Sequence, residues 1–167
     1  MQVLVAYASK YGGTAEIARK IGQGLNQAGL RTETVPVEKV KDLTPYEAVV
    51  LGSGVYIGKW RKEATKFLKA NEKALGNRPV WLFSSGPTGE GDAVELLDGW
   101  RLPKALQPIV DRIQPHDIAV FHGVVDVKKL SAIHRWMINK VDSPVGDYRD
   151  WDAITDWATM IADSLNG

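Results

Sequence analysis

The alternation of two hydrophobic periods is what most constrains this chain. Short, continuous, β-branched runs recur at Met1–Ala8, Ala48–Leu51, Val80–Phe83 and Ile118–Val125. Between them lie stretches whose apolar residues return at helical spacing. A strand that is apolar on both faces suits a parallel sheet covered on both sides by helices. After the first run, a helix is predicted from Thr14, with Ile17, Ala18, Ile21, Leu25 and Ala28 on its inner face and Gly29 as its stop. Gly22 and Gly24 weaken that helix by roughly 1 kcal/mol each relative to Ala and suggest close helix-to-sheet packing. Trp60, Ala64, Phe67, Leu68 and Leu75 mark the inner face of a second helix, ended by Asn77-Arg78-Pro79. Arg31–Val37 instead alternates polar with apolar and contains Pro36, which lacks a donor and therefore prefers an edge strand. A helical stretch interrupted by Pro103 and Pro108 separates the fourth strand from the fifth. In the last helix Asp150 is the predicted cap and Trp151, Ile154, Ala158, Ile161 and Leu165 the buried stripe.

Read in order, these elements predict a single domain over residues 1–167 of class α/β, a doubly wound five-stranded parallel sheet of order 2-1-3-4-5. That order puts the Pro36 strand at an edge, where a missing donor costs least. Asp126–Arg149 is longer than an ordinary connection and predicts a helical insertion between strand 5 and the last helix. Its stripe is Leu130, Ile133, Met137 and Val141, with His134, Arg135 and Lys140 outside it.

Composition removes several function classes. The absence of Cys excludes disulfides, thiol chemistry, iron–sulfur ligation and Cys-based zinc sites, so redox work would need a bound organic cofactor. Lys and Arg total 21 against 20 Asp and Glu, which gives no overall field suited to nucleic acid. No run approaches the roughly 20 apolar residues of a membrane span, so the expectation is a soluble, cytoplasmic protein without a transmembrane segment. His116, His122 and His134 lack metal-site spacing, no Ser-His-Asp pattern is present, and no residue is assigned to acid–base catalysis.

In this sheet order the crevice opens at the carboxyl ends of the first and third strands. Ser9-Lys10-Tyr11-Gly12-Gly13-Thr14 joins the first strand to the first helix there, so backbone N–H groups and the positive end of the helix dipole face a prospective anion. Gly12 and Gly13 permit close approach, the Ser9 and Thr14 hydroxyls can donate, and Lys10 adds charge. Taken alone, the same run reads equally as a Gly-rich turn with Thr14 capping a helix. It matches neither the P-loop nor the dinucleotide fingerprint. Tyr7, Ala8 and Ser9 also lack the carboxylates of a metal-dependent phosphoacceptor site.

This run resembles the phosphate loop of the flavodoxins, which begins with Ser or Thr, carries Gly in its middle and ends in Thr. Gly52-Ser53-Gly54-Val55-Tyr56-Ile57-Gly58 is similar to that family's second FMN loop, with Tyr56 as the ring-stacking aromatic. Ser84-Ser85-Gly86-Pro87-Thr88-Gly89 resembles the third, where backbone groups meet the flavin's pyrimidine edge. The resemblance therefore implies FMN as cofactor, held by Ser9 to Thr14, Ser53 to Gly58 and Ser84 to Gly89. Trp136-Met137-Ile138 and Gly146-Asp147-Tyr148-Arg149-Asp150-Trp151 resemble the corresponding region of the bacterial menaquinone-dependent protoporphyrinogen oxidases. Their insertion is strongly basic and aromatic, whereas this one includes Asp126 and Asp142, and a helix covering the sheet end accounts for it as well.

Between Lys59 and Arg78 the basic residues Lys59, Arg61, Lys62, Lys66, Lys69, Lys73 and Arg78 outnumber Glu63 and Glu72. This is either the solvated face of an amphipathic helix or a surface that steers an acidic redox partner or a nucleotide phosphate. Three functions stand open: an FMN electron carrier serving a redox partner protein, a quinone-linked flavoenzyme of the porphyrinogen-oxidising kind, and a flavin-free partner-binding module. The oligomeric state is open too.

Overall fold

A computed structural model describes residues 1–126, 128, 136 and 145–167. Strand β1 (Gln2–Ala8) lies inside the sheet, parallel to β2 (Arg31–Pro36) on one side and β3 (Ala48–Tyr56) on the other. Next come β5 (Val80–Ser85) and β6 (Asp117–Phe121), so the parallel order is β2-β1-β3-β5-β6. A two-residue strand, β4 (Lys59–Trp60), folds back antiparallel on the end of β3. Counting the five parallel strands alone, the order is the predicted one, with Pro36 closing an edge strand.

Alternation along the strands divides the interior into two cores. Val3, Val5 and Tyr7 of β1, with Ala48, Val50, Trp81 and Phe83 beside them, pack against α1 (Gly13–Gln27) and α6 (Trp151–Asn166). Leu4, Ala6 and Ala8, with Val49, Leu51, Val80 and Leu82, face α2 (Lys62–Ala70), α3 (Glu72–Leu75) and α5 (Gln107–Ile113). At Gly22 a Cβ would lie 2.2 Å from Thr34 Oγ1, so α1 meets the sheet at a distance only Gly allows. The α6 stripe is the predicted one with Trp157 added, whose Nε1 donates to Asp117 Oδ2 at 2.9 Å, and Asp150 caps it by accepting from the Ala153 amide.

Four boundaries differ from expectation. Helix α1 starts at Gly13, with Gly12 as its N-cap and Thr14 already inside the first turn. Trp60 belongs to β4 rather than to a helix, and the second helix breaks at Asn71, whose Nδ2 donates to the Phe67 carbonyl at 2.9 Å. The third strand runs on through Tyr56. The fifth run splits, because β6 ends at Phe121 and Gly123 crosses Gly86 so closely that a Cβ there would lie 3.0 Å from the Gly86 backbone. The following pair, β7 (Val124–Val125), joins β8 (Gly146–Asp147) in a separate antiparallel ribbon. Pro103 precedes a short 3-10 turn, and Pro108 occupies the first turn of α5, where its missing N–H is harmless. Asp92 caps the remaining short helix, α4 (Ala93–Leu96). The insertion stripe of Leu130, Ile133, Met137 and Val141, and with it His134, Arg135 and Lys140, lies outside the described residues.

Candidate functional site

Parallel strands β1, β3 and β5 release their carboxyl ends on the same side of the sheet, which gathers all three predicted segments at one crevice. Gly12 sits at φ +92°, a left-handed conformation that side chains other than Gly rarely adopt. Ser9 Oγ accepts the Gly12 amide at 3.1 Å, and the Gly12 carbonyl accepts the Glu16 amide, which begins α1. Among the described residues no side chain caps the helix, so its first amides keep their donors directed outward. Thr14 is buried and, contrary to the capping alternative, caps nothing. Its hydroxyl points toward β3, since a Cβ on Gly54 would stand 3.0 Å from Thr14 Oγ1 and 3.3 Å from Tyr56 Cε2. Gly54 thus leaves a gap where hydroxyl and ring converge. Around Tyr56, the Tyr11 ring sits edge-on at 6.2 Å and 70°, Lys10 Nζ lies 5.5 Å from the Tyr11 ring, and the Arg61 guanidinium 5.6 Å from the Tyr56 ring. Burial, opposed in part by Arg61, pushes the Tyr56 phenol above its ordinary range, which keeps it protonated at neutral pH.

What resembled a second loop is a hairpin. Val55 pairs with Trp60 and Tyr56 with Lys59, around a two-residue turn in which Ile57 has φ +51° and Gly58 φ +67°. Positive φ at both turn residues matches the twist of a tight hairpin. For β-branched Ile57 it carries strain of about 1–2 kcal/mol. The same side chain is 69% exposed, an apolar knob at the rim. Ser53 is fully buried, with its hydroxyl donating to the Gly54 carbonyl and accepting from the Arg61 amide, both at 2.8 Å. Ser84 is buried as well: it accepts from Trp60 Nε1 and donates to the Arg101 carbonyl, again at 2.8 Å. These two serines tie the crevice walls together, whereas Thr14, Gly54 and Tyr56 line its mouth.

Ser85 is buried, and Gly86, whose amide donates to the Phe121 carbonyl, begins the half-exposed part of the third segment with Pro87, Thr88 and Gly89. His122 holds this stretch from behind, with Nδ1 at 3.2 Å from the Pro87 carbonyl and Nε2 at 2.5 Å from that of Gly91. His122 is thus a buried, hydrogen-bonded residue just beyond the end of β6.

Two features were missed. One is the Trp60–Ser84 bridge, for which a Trp beside a Gly-rich turn is the only available sequence signal. The other is Arg149, whose guanidinium meets Asp147, Glu16 and the Gly13 carbonyl across more than a hundred residues of chain. The spacing Asp147-x-Arg149 hints at a same-side pair, but the contact with α1 has no local signature. On the basic run, Arg78 is a structural residue bonded to the Ala74, Leu43 and Tyr46 carbonyls, Arg61 faces Glu63, and Glu72 pairs with Arg112. Lys59, Lys62, Lys66, Lys69 and Lys73 remain exposed, without an ion pair among the described residues.

An uncapped helix start next to a hydroxyl suits a phosphate, and the aromatic surface of the Tyr11–Tyr56 pair suits a flat ring. The description "flavodoxin domain" fits residues 4–152 of the chain. Over 183 aligned positions, 97% of the chain and 95% of its relative, it is 21% identical to the protoporphyrinogen IX dehydrogenase [quinone] of Escherichia coli (strain K12). Among solved structures, a flavodoxin from the domain Archaea superposes over 100% of both chains at a TM-score of 0.65 and 15% identity. The rubredoxin oxygen:oxidoreductase of Desulfovibrio gigas superposes over 99% of this chain and 36% of its own, at a TM-score of 0.67 and 13% identity.

Proposed function

The chain belongs to the flavodoxin-domain family, and on that premise we propose that it binds FMN without a covalent link and passes electrons through it to a separate redox partner. The observation that carries this reading is the convergence of Thr14, Gly54 and Tyr56 at the mouth of the crevice, beside the uncapped start of α1. In this reading the α1 amides and the Ser9 and Thr14 hydroxyls hold the phosphate, with Lys10 adding charge. Tyr56 stacks on the ring, flanked by Tyr11, and Val55, Ile57 and Gly58 form the rest of that wall. The Gly86 to Gly89 backbone meets the ring's edge, while Ser53 and Ser84 act from behind by fixing the two walls. When bound, FMN supplies reversible one- or two-electron chemistry, and the protein sets its orientation and shelters it from water. Purified protein is expected to be yellow, to release FMN on unfolding and to rebind it; a colourless protein with no FMN affinity refutes the proposal.

The five lysines, without an ion pair among the described residues, favour an acidic partner. On α2, Lys62, Lys66 and Lys69 recur at four-three spacing and therefore share one face, with the exposed Lys73 following on α3. That face begins immediately after the Ile57 turn, beside the ring's wall.

A second reading, oxidation of a large apolar substrate with a quinone as acceptor, is favoured by the near full-length likeness to the Escherichia coli dehydrogenase. Deleting 128–140 separates the two. Loss of quinone turnover with FMN binding intact supports the enzyme, and absence of quinone turnover in the undeleted protein supports the carrier.

A further inference from the structure

Among the described residues, Arg149 is the one guanidinium that reaches the start of α1. Its side chain is only 8% exposed, and its fork is fixed from several directions. Nε and Nη2 donate to the two carboxylate oxygens of Asp147 at 2.9 and 2.7 Å, a bidentate pairing that sets the plane of the group. Nη1 then faces Glu16 Oε1 at 3.2 Å and the Gly13 carbonyl at 3.4 Å, and the Trp151 ring lies 4.7 Å from the guanidinium carbon. Asp147 is held below the usual carboxylate range, first by this hydrogen bond. Close packing supports the same junction, since a Cβ on Gly13 would lie 2.7 Å from Val124 Cγ1 of the ribbon that carries Asp147.

The arrangement resolves a conflict in the first turn of α1. Glu16 is favourable there for the helix dipole, yet it brings a negative charge to the end that a phosphate would occupy. We propose that Arg149 is a positioning residue for a phosphate monoester at this helix start: it neutralises Glu16 and anchors the Gly13 carbonyl, so that the outward amides meet the anion without a like charge beside them. The inference rests on the FMN reading and assigns its phosphate site a cation from the far end of the chain. Lys replaces the charge but not the fork, so the two roles can be separated.

The test compares Arg149→Met, Arg149→Lys and the double variant Arg149→Met/Glu16→Gln with the wild type. Apoprotein is titrated with FMN and with riboflavin at low salt, and inorganic phosphate is used alone as a thermal-shift probe. Arg149→Met should weaken FMN about tenfold and riboflavin less than twofold, the size of one lost charge near the surface. Glu16→Gln in that background should restore most of the loss, and Arg149→Lys should fall between. Equal losses for both ligands, or no recovery with Glu16→Gln, overturns the proposal and makes Arg149 merely structural. Wild type that binds FMN as tightly as Arg149→Met overturns it too. Protection of wild-type apoprotein by inorganic phosphate, lost in Arg149→Met, upholds it even if FMN fails to bind, in which case only the FMN reading falls.

Discussion

Replacing Thr14 by Val tests the phosphate assignment with little collateral change. Val matches Thr in shape and removes one hydroxyl. Thr14 is buried in the first turn of α1 and makes no side-chain cap, and its hydroxyl has no hydrogen bond among the described residues. The fold therefore loses no internal bond, and the melting temperature of the apoprotein should stay within about 2 °C of wild type, as expected for a ΔΔG of ~0.5 kcal/mol or less in a chain of this size. Binding should respond quite differently. A hydroxyl donating to a phosphate oxygen is a charge-assisted bond of about 1.5–3 kcal/mol, and its loss corresponds to roughly a 10- to 150-fold rise in the FMN dissociation constant. Riboflavin lacks the phosphate and should bind the variant and the wild type within about twofold. Quenching of flavin fluorescence on titration into apoprotein measures both. Equal weakening of the two ligands would show that Thr14 supports the ring pocket or the loop, and no weakening of either would place the phosphate elsewhere.

Other outcomes are equally direct. Gly54→Ala should weaken both ligands by about 1–3 kcal/mol of overpacking, FMN more than riboflavin, because its methyl enters the gap between Tyr56 and the phosphate-assigned Thr14 Oγ1; paired titrations check this. Changing Lys62, Lys66, Lys69 and Lys73 together to Gln should slow FMN reduction by a reduced acidic ferredoxin at low salt and flatten its salt dependence, leaving photochemical reduction unchanged; stopped-flow rates between about 20 and 300 mM salt decide. Tyr46 is raised to about 12 by burial, and secondarily by its hydrogen bond to Glu33. Its raised folded value means that the stability it contributes is complete below pH 10 and is lost as pH rises toward about 12; in Tyr46→Phe, urea melts across that window should lose this part of the alkaline decline.

The sheet was legible because each strand carries its environment in its own residues. Val3 to Ala8 is apolar at every position and lies inside the sheet, while the alternating Arg31 to Pro36 is the edge. Glycines marked the crevice for the same local reason. What could not be read was the division of labour within it. Ser53 and Ser84 look like ligand donors in sequence, yet both hydroxyls are directed into the walls, because the turn at Ile57–Gly58 returns Trp60 and Arg61 onto them. The turn was hidden because Ile57 is an unfavourable residue for positive φ. Arg149 was hidden because its partners are on the first helix, and pairings at that separation leave no periodicity.

The ribbon of Val124–Val125 with Gly146–Asp147 has a consequence for how such a chain can diversify. Because the two strands pair side by side, Val125 and Gly146 lie together, and the two ends of the stretch that joins them are fixed at a single doorway. Lengthening or shortening it pulls on nothing in the main sheet, and each doubling costs only about 0.6 kcal/mol of closure entropy. The doorway opens at the start of α1, as the contact of Val124 with Gly13 indicates. The sequence between those two ends can thus be rewritten while the flavodoxin-domain frame is inherited unchanged.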